Sequence, residues 1–436
     1  MTKEAPRIAT PSNTSAASLA WMVAVAFGLR IATMLLFRTY DFGAPAENLH
    51  TGPNFIVGME TGSIAGSLAL GQGFSSPFGL ASPTGPTAWI GPIYPFFCAV
   101  LFKLFGMYSS ASVAAILAMN SVFAALTCIP LVRLGERTFG IGAARWSGWG
   151  WALCPLFFRW PLTWVWEISL TALLATILLL ITVRWAESPG NRQGVLFGFV
   201  SGVAMLANPA LLIVSGVGGL WVFLASRRKS SSSIKPALLA GLICALVISP
   251  WIIRNWAAFG SPVFVRSNFW VEFALGNYHL SNGMGWRGKH PTVNVAEFEA
   301  YRKLGELGYV EVKRELAGEF VRMHPAEFFN LTLKRMRVFW SGEAYEYQPD
   351  YAWWRARGFG LFSLFAGLGL WLAVRRRVPA AGLFLFVIFL YPAAYYITFS
   401  HPRYRHAIEP VLLMAVVYLW MEGCRYFLTR ARLNKT

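Results

Sequence analysis

The sequence predicts an all-α, polytopic membrane protein with about ten transmembrane helices and one large, mostly helical outer loop. Of the 436 residues, 56% are hydrophobic and 13% are charged, whereas a soluble domain carries about 25% charged residues. Long apolar runs recur along the chain. The formal net charge of +18 lies mainly in short segments between these runs, which is typical of topology signals and phospholipid contact and not of nucleic-acid binding.

The first apolar run covers residues 17–37 and follows a polar tail. It is long enough to cross a bilayer, which takes about 20 residues. Because it lacks a small-residue cleavage site, it predicts a membrane anchor and not a cleaved signal peptide. The remaining predicted spans are residues 111–132, 146–160, 163–183, 194–208, 209–225, 236–253, 359–374, 379–399 and 407–427.

A further apolar run at residues 89–105 is interpreted as an interfacial segment, because Gly91-Pro92, Pro95 and Lys103 would interrupt a spanning helix. With this interpretation, the basic residues of the short connections share one side with the N-terminus. The positive-inside rule then predicts a multi-pass protein of a bacterial-type inner (plasma) membrane with both termini in the cytoplasm. These basic residues are Arg133, Arg137, Arg145, Arg184, Arg192, Arg227, Arg228, Lys229, Lys235, Arg375, Arg376, Arg377, Arg425, Arg430, Arg432 and Lys435.

The opposite face carries two long loops. Residues 38–110 form the first outer loop within an N-terminal membrane module, 1–253. Residues 254–357 form the large outer loop, which has mixed charge and a helical pattern at 295–340. Residues 358–436 complete the chain with C-terminal transmembrane helices.

The cysteines offer no framework for the fold. All five lie in or beside apolar runs, without CxxC or Cys/His spacing. The sequence therefore indicates neither disulfides nor a cysteine-based zinc site, and it predicts that they are small apolar side chains.

Charged side chains at the membrane edge are costly and mark candidate functional positions. A carboxylate held near an apolar surface can act as a base through a raised pKa, or can hold a divalent ion. The outer face concentrates such residues: Arg30, Asp41, Glu60, Arg159, Glu167, Arg254, His401, Arg403, Arg405 and Glu409.

Three of the acidic candidates in this set, Glu60, Glu167 and Asp41, have different settings. Glu60 recurs at helical spacing with Ile64 and Leu68, which predicts a short interfacial helix. Glu167 is predicted a few residues into a descending apolar helix, where an unpaired carboxylate is costly; a structural pair with Arg159 is the alternative. Asp41 lies in the first outer loop, where a solvated loop acid is the alternative.

Arg403 and Arg405 lie in the segment that joins two predicted spans on the outer side, at the level of a lipid phosphate. Snorkelling anchors are the alternative. Their position on the face that should be poor in positive charge favours a functional role. Arg254 and Arg266, at the entrance to the large loop, leave the same two interpretations open.

Four segments carry a resemblance to a known family. They are METGSIAGSLALGQGFSSPF (59–78), GPTAWIGPIYPFF (from 85), SPWIIRNWAAFGSPVFVRSNF (249–269) and HPRYRHAIEP (401–410). In this order, over nearly the whole chain, they resemble the bacterial GT-C glycosyltransferases of the family that contains protein O-mannosyltransferases and the lipid A aminoarabinose transferase.

The resemblance implies a GT-C-like fold with juxtamembrane helices in the first outer loop. It also implies transfer of a sugar from a polyprenyl-phosphate donor to a lipid, glycan or protein acceptor on the extracytoplasmic face. The family's acid, usually aspartate, matches Glu60, which would take the acceptor proton; Asp41 or Glu167 would orient the acceptor or a divalent metal. The donor phosphate would be bound by Arg403, Arg405, Arg254 and Tyr404, with support from Arg30, His401, Glu409 and Arg266.

Three other functions stay open. An O-antigen ligase or polymerase also combines a large outer loop with arginines, and would not require Glu60. A transporter or flippase would line a midplane path with charges between repeats, whereas here the charges cluster at the outer edge and no internal repeat is evident. An inactive relative that serves as a scaffold is the third.

Overall fold

The computed structural model describes residues 13–42, 57–228, 234–279, 281–283, 289–342 and 353–433. The described residues are almost entirely helical, with one isolated β-bridge between Ser75 and Pro86. The N-terminal part forms α1 (Ala16–Leu36), α2 (Met59–Ala69), α3 (Ile93–Phe105), α4 (Ser110–Leu126), α5 (Cys128–Thr138), α6 (Ile141–Leu153), α7 (Arg159–Thr163), α8 (Ile168–Glu187), α9 (Asn191–Ala207), α10 (Leu211–Arg228) and α11 (Lys235–Phe259).

The large outer loop and the C-terminal part complete the helices. The helical pattern predicted for 295–340 is present as two helices that meet at His324 and Pro325. The helices are α12 (Phe269–Gly276), α13 (Val295–Met323), α14 (Pro325–Ser341), α15 (Trp353–Arg375), α16 (Ala381–Leu390), α17 (Ala393–Ile397) and α18 (Glu409–Leu433).

Among the described residues, 6 helices are long and apolar enough to cross a membrane. They are Ala16–Leu36, Ser110–Thr138, Ile168–Glu187, Lys235–Phe259, Arg357–Arg375 and Glu409–Ala431. Shorter apolar helices lie at Ile93–Phe105, Leu211–Ser226 and Ala381–Ile397. The multi-pass class is confirmed, while the count of about ten spans stays a prediction.

Two of the predicted spans are interrupted next to a proline. The run at 146–160 ends its helix at Leu153, because Pro155 follows and starts a short 3-10 turn before α7. The run at 379–399 divides at Pro392 into α16 and α17. By contrast, α3 starts directly after Pro92, and its 13 residues extend about 20 Å, less than the roughly 30 Å of a hydrocarbon core.

Helices α9 and α11 pack backbone against backbone. A Cβ atom placed on Gly194 would lie 2.3 Å from the carbonyl oxygen of Pro236, and one on Gly198 would lie 2.2 Å from that of Ala240. Small residues at such contacts allow transmembrane helices to approach closely. These glycines therefore fix how α11, which leads into the large outer loop, lies on the rest of the bundle.

Basic residues of the short connections meet at one end of the molecule. The backbone N–H of Thr14 donates to Glu136 at the end of α5 (2.6 Å), and Arg145 of α6 donates to the Thr14 hydroxyl (3.2 Å). Trp146 of α6 contacts Trp420 of α18. Ion pairs at these helix ends are Arg133–Glu136, Arg137–Glu187, Arg376–Glu422 and Arg425–Glu422. Lys229 and Lys435, predicted on the same side, lie outside the described residues.

At the other end, Glu306 of α13 fastens the large outer loop to the first one. This buried carboxylate accepts hydrogen bonds from the hydroxyl of Thr87, the backbone N–H of Ala88 (2.7 Å), Ser267 (2.7 Å) and Tyr301 (2.8 Å). A buried carboxylate needs such a full set of donors. The network therefore links three parts of the chain: the segment around Thr87 in the first outer loop, the entrance to the large outer loop at Ser267, and α13.

Candidate active site

A cavity of about 780 Å³ lies where the two outer loops meet the start of α8 and the turn before α18. Five of the residues selected from the sequence line it: Glu60, Glu167, Arg266, Arg403 and Tyr404. Asn208, Asn268 and Glu272 are further polar residues in its wall. Both acidic and basic side chains therefore line the cavity.

Glu60 lies in the first turn of α2, the short helix predicted from its spacing, and its residue is 7% exposed. The helix begins after Gly58, which has φ of 80°, a conformation that favours glycine. Burial raises the pKa of the Glu60 carboxyl to about 7, and the charge of Glu272 adds to the increase. A backbone hydrogen bond and the charges of Arg403 and Arg266 act in the opposite direction.

His290 is the nearest basic side chain to Glu60, with its Nε2 3.3 Å from the carboxylate Oε1. Burial lowers the pKa of His290 to about 3, so the imidazole is neutral at physiological pH. The backbone N–H of Thr292 donates to Nδ1 (3.3 Å), which makes Nδ1 an acceptor and assigns the proton to Nε2. A neutral N–H therefore faces the Glu60 carboxylate.

Arg403 is held by aromatic rings. Its guanidinium carbon lies 4.1 Å from the ring centre of Trp166 and 5.0 Å from that of Trp164, and Nη2 donates to the hydroxyl of Tyr404 (2.9 Å). His401 accepts the backbone N–H of Arg403 (3.1 Å) and thereby fixes the start of the turn. Because aromatic faces hold a cation without neutralising it, these contacts orient the guanidinium while its charge is kept.

Glu167 differs from its prediction. It is the residue before α8 and not inside the helix, since Trp164 adopts an extended conformation and the helix starts at Ile168. Its Oε1 lies 4.0 Å from Nη1 of Arg266 and accepts from Asn208 (3.4 Å). Its ion pair is therefore with Arg266 and not with Arg159, the partner considered from the sequence.

Glu272 and His290 are the residues that the sequence reasoning missed. Glu272 accepts from Asn268 (2.9 Å) on α12, and burial raises the pKa of its carboxyl. It is the one acid in the apolar segment FWVEFALG, and this isolated charge is a signal that could have found it. His290 lies in a loop without a local pattern, so only the packing of the large outer loop on α2 reveals it.

Arg254 does not line the cavity. Its guanidinium donates to the carbonyl oxygens of Thr87 and Phe74, both at 2.6 Å, and lies 4.9 Å from the ring centre of Trp251. Both carbonyls belong to the first outer loop. The side chain therefore holds this loop on α11, and its role as a phosphate ligand stays a prediction.

Arg405 and Glu409 also lie outside the cavity and form a buried ion pair at 3.3 Å. Arg405 donates to the Ser363 hydroxyl (2.6 Å) and packs on the Phe359 ring, while His406 contacts the second oxygen of Glu409 (2.6 Å). The pair joins the start of α18 to α15. That Arg405 binds the donor phosphate stays a prediction.

Arg30 and Asp41 are likewise separate from the cavity. The fully buried Arg30 donates to the carbonyl oxygens of Ala26 (2.9 Å) and Trp151 (3.0 Å), and so joins α1 to α6. Asp41 is exposed and pairs with Arg38 (3.3 Å). The described residues therefore do not bring Asp41 to Glu60, and the segment between them, 43–56, lies outside the description.

The sequence leaves open whether the acidic residues hold a divalent metal. Within the described ranges, no group of three carboxylate, histidine or cysteine ligands converges in the cavity; the group that does converge, described below, lies in the large outer loop. Glu60 and Glu167 instead face a histidine and an arginine.

Residues 87–254 match the sequence model of the family described as "Dolichyl-phosphate-mannose-protein mannosyltransferase". The matched range contains Glu167 and Arg254 and begins after Glu60. A comparison with the curated proteins by sequence gives no match.

A solved structure shares the fold over most of the chain. The oligosaccharyltransferase of Archaeoglobus fulgidus, in complex with zinc and sulfate, has a TM-score of 0.50 at 15% identity, and the alignment covers 96% of this chain and 51% of that one. The chain therefore spans about half the length of the archaeal enzyme. ArnT of Cupriavidus metallidurans, bound to undecaprenyl phosphate, has a TM-score of 0.44 at 13% identity, covering 93% of this chain and 77% of that one.

The described residues thus form a multi-pass membrane protein that shares its fold with the archaeal oligosaccharyltransferase. The mannosyltransferase family match covers less than half of the chain.

Proposed function

We propose that this protein transfers a sugar from a polyprenyl-phosphate donor to an acceptor hydroxyl at the extracytoplasmic face, with Glu60 as the general base. The observation that carries the proposal is one cavity, lined by a buried carboxyl and by two arginines, Arg266 and Arg403. The matched family is named for a sugar carried on dolichyl phosphate, a donor that combines an anomeric phosphate with a long prenyl chain.

Glu60 suits the removal of a proton from the acceptor. A general base works best when its pKa lies near the working pH, and burial brings the pKa of Glu60 to about 7. The N–H of His290, 3.3 Å away, orients the carboxylate. Because the imidazole is neutral, the contact is a hydrogen bond and not an ion pair. The carboxylate takes the hydroxyl proton as the acceptor oxygen forms its bond to the anomeric carbon.

Arg403 and Arg266 suit the departing phosphate. As the bond between the anomeric carbon and the phosphate oxygen breaks, the electron pair stays on that oxygen and the lipid phosphate gains negative charge. Guanidinium groups aimed at such developing charge contribute a few kcal/mol each in a water-poor site. The Tyr404 hydroxyl accepts from Arg403 and holds it in place for this contact.

The remaining polar wall suits the sugar. Glu167, Asn208, Asn268 and Glu272 present carboxylate and amide groups to the cavity. Carboxylates accept hydrogen bonds from sugar hydroxyls, and amides both donate to them and accept from them. Because one base acts in a single displacement, the proposal implies inversion at the anomeric carbon.

The prenyl chain has an apolar exit from the cavity. Leu212, Phe264 and Phe269 line the same cavity and are 53%, 75% and 43% exposed. Exposed apolar side chains at the edge of a bundle are suited to contact with lipid. A donor could therefore keep its phosphate between the arginines while its chain runs along these residues into the bilayer.

The test is sugar transfer by purified protein in lipid, from a panel of radiolabelled polyprenyl-phosphate sugars to membrane extract. We expect Glu60→Gln to lower turnover by about 10²–10⁴-fold, the usual contribution of a general base, while donor binding is retained. Glu299→Gln, on the exposed surface of α13, is the matched control. Full activity of Glu60→Gln would contradict the assignment of Glu60 as the base. If the wild type transfers sugar from none of the donors, the proposal that the protein is a glycosyltransferase is wrong.

A further inference from the structure

Three side chains outside the cavity converge on the surface of the large outer loop. His279 follows α12, His324 lies between α13 and α14, and Glu327 lies in the first turn of α14. Their ligand atoms all lie within 4.8 Å of one another. Nδ1 of His279 is 3.6 Å from Oε2 of Glu327, and Nδ1 of His324 is 4.0 Å from the same oxygen.

At these distances the histidine nitrogens lie near Glu327 without a hydrogen bond to it. Both separations exceed the 2.7–3.2 Å expected for an N–H···O bond, yet both nitrogens are close to one carboxylate oxygen. In a tetrahedral zinc site with bonds of about 2.0–2.1 Å, ligand atoms lie roughly 3.3–3.4 Å apart. The observed spacing is within reach of that geometry by small side-chain rotations.

The backbone that carries the ligands is fixed on both sides. His324 ends α13, where its N–H donates to Phe320 (2.8 Å), and Pro325 begins the next helix immediately after it. On the other side, Asn277 donates to the carbonyl of Ile397 (2.7 Å) two residues before His279. Such preorganisation lowers the entropic cost of binding an ion.

We propose that His279, His324 and Glu327 form a binding site for a divalent transition-metal ion, of which zinc is the best fit. Two imidazoles and one carboxylate are typical zinc ligands, whereas magnesium and calcium prefer oxygen ligands alone. All three side chains are at least one-third exposed, so water completes the coordination.

The ion would join α12 to the corner between α13 and α14. Helix α12 carries Glu272 and follows Asn268, both in the cavity wall. Metal binding should therefore stabilise the part of the large loop that covers the cavity. The site does not depend on the glycosyltransferase proposal, because its ligands make no contact with the cavity.

The test is zinc binding to tag-free protein in detergent, stripped with chelator and measured by calorimetry and by elemental analysis. We expect one zinc ion per chain, and a thermal midpoint that rises when zinc is added. His279→Ala and His324→Ala should each weaken binding at least tenfold, and the double variant should lose both binding and the thermal shift. Cobalt should bind at the same residues, and magnesium should not compete.

Glu327→Gln should also weaken zinc binding, with Glu319→Gln on the exposed face of α13 as the matched control. The metal-free thermal midpoint shows whether each variant is folded, and the exposure of His279 and His324 predicts that it is unchanged. Binding that persists at full affinity and stoichiometry in the double variant would overturn the proposal, as would a wild type that binds no more zinc than this variant. Neither result depends on glycosyl transfer.

Discussion

At the scale of single residues, the surroundings of Glu60 decide what its carboxyl can do. Burial and the nearby charge of Glu272 favour the protonated form, while Arg266 and Arg403 favour the ionised one. The balance leaves a pKa of about 7, so that both forms are present at neutral pH. A group in this range can accept a proton during the reaction and release it afterwards.

The first prediction is that the rate of sugar transfer depends on pH through Glu60. Glu60 acts as a base in its ionised form, so the rate should fall as pH drops below about 7, approaching tenfold per unit because one proton is bound. A profile of kcat/KM from pH 5 to pH 9 measures this acid limb. A profile that is flat below pH 7 would show that this carboxyl does not control the rate.

The second prediction concerns His290. Its removal in His290→Ala takes away the N–H that faces the carboxylate. The ionised form then loses a stabilising contact, so the pKa of Glu60 rises and the acid limb moves to higher pH. His290→Gln retains an N–H donor and should shift the limb less. If the acid limb of the pH–rate profile is unchanged in both variants, His290 does not position the base.

At the scale of elements, helices whose signals are local could be predicted and their arrangement could not. The spacing of residues 60, 64 and 68 predicts α2 because helical periodicity is a property of neighbours. Glu167 was misplaced because Trp164 and Trp166 are apolar enough to extend the run, whereas the helix starts only at Ile168. The burial of Glu306 was not evident either, because its partners lie in other segments of the chain.

The third prediction tests this connection between elements. Glu306→Ala leaves the donors of Thr87, Ala88 and Ser267 without their common acceptor. Buried donors left unsatisfied cost about 1–3 kcal/mol each, so the thermal midpoint in detergent should fall clearly. Glu299→Ala, exposed on the same helix, should stay within about 0.5 kcal/mol of wild type. Equal midpoints for the two variants would contradict the proposed role.

At the scale of the whole molecule, the cavity is an outcome of long-range packing. Glu60 and Arg403 are predictable as costly charges, but they lie at opposite ends of the chain and meet only in the fold. Arg254 and Arg405 have the same sequence signal. In the structure, however, Arg254 donates to backbone carbonyl oxygens and Arg405 forms an ion pair with Glu409. Sequence alone does not separate a guanidinium that faces a cavity from one that fastens helices.

The fourth prediction concerns orientation. Basic residues gather at one end, with Thr14, and the cavity lies at the other. In a cysteine-free background, Glu299→Cys should react with a membrane-impermeant maleimide in intact bacterial cells, whereas Arg192→Cys should react only after permeabilisation. The reverse pattern would place the cavity on the cytoplasmic face.

The most direct test of the central claim is to measure donor affinity and turnover separately in Glu60→Gln and Arg403→Ala. If Glu60 takes the acceptor proton and Arg403 binds the lipid phosphate, the first variant keeps donor affinity and loses turnover. The second variant binds the polyprenyl-phosphate sugar at least tenfold more weakly. If both variants bind and turn over the donor as wild type does, this cavity is not the site of sugar transfer.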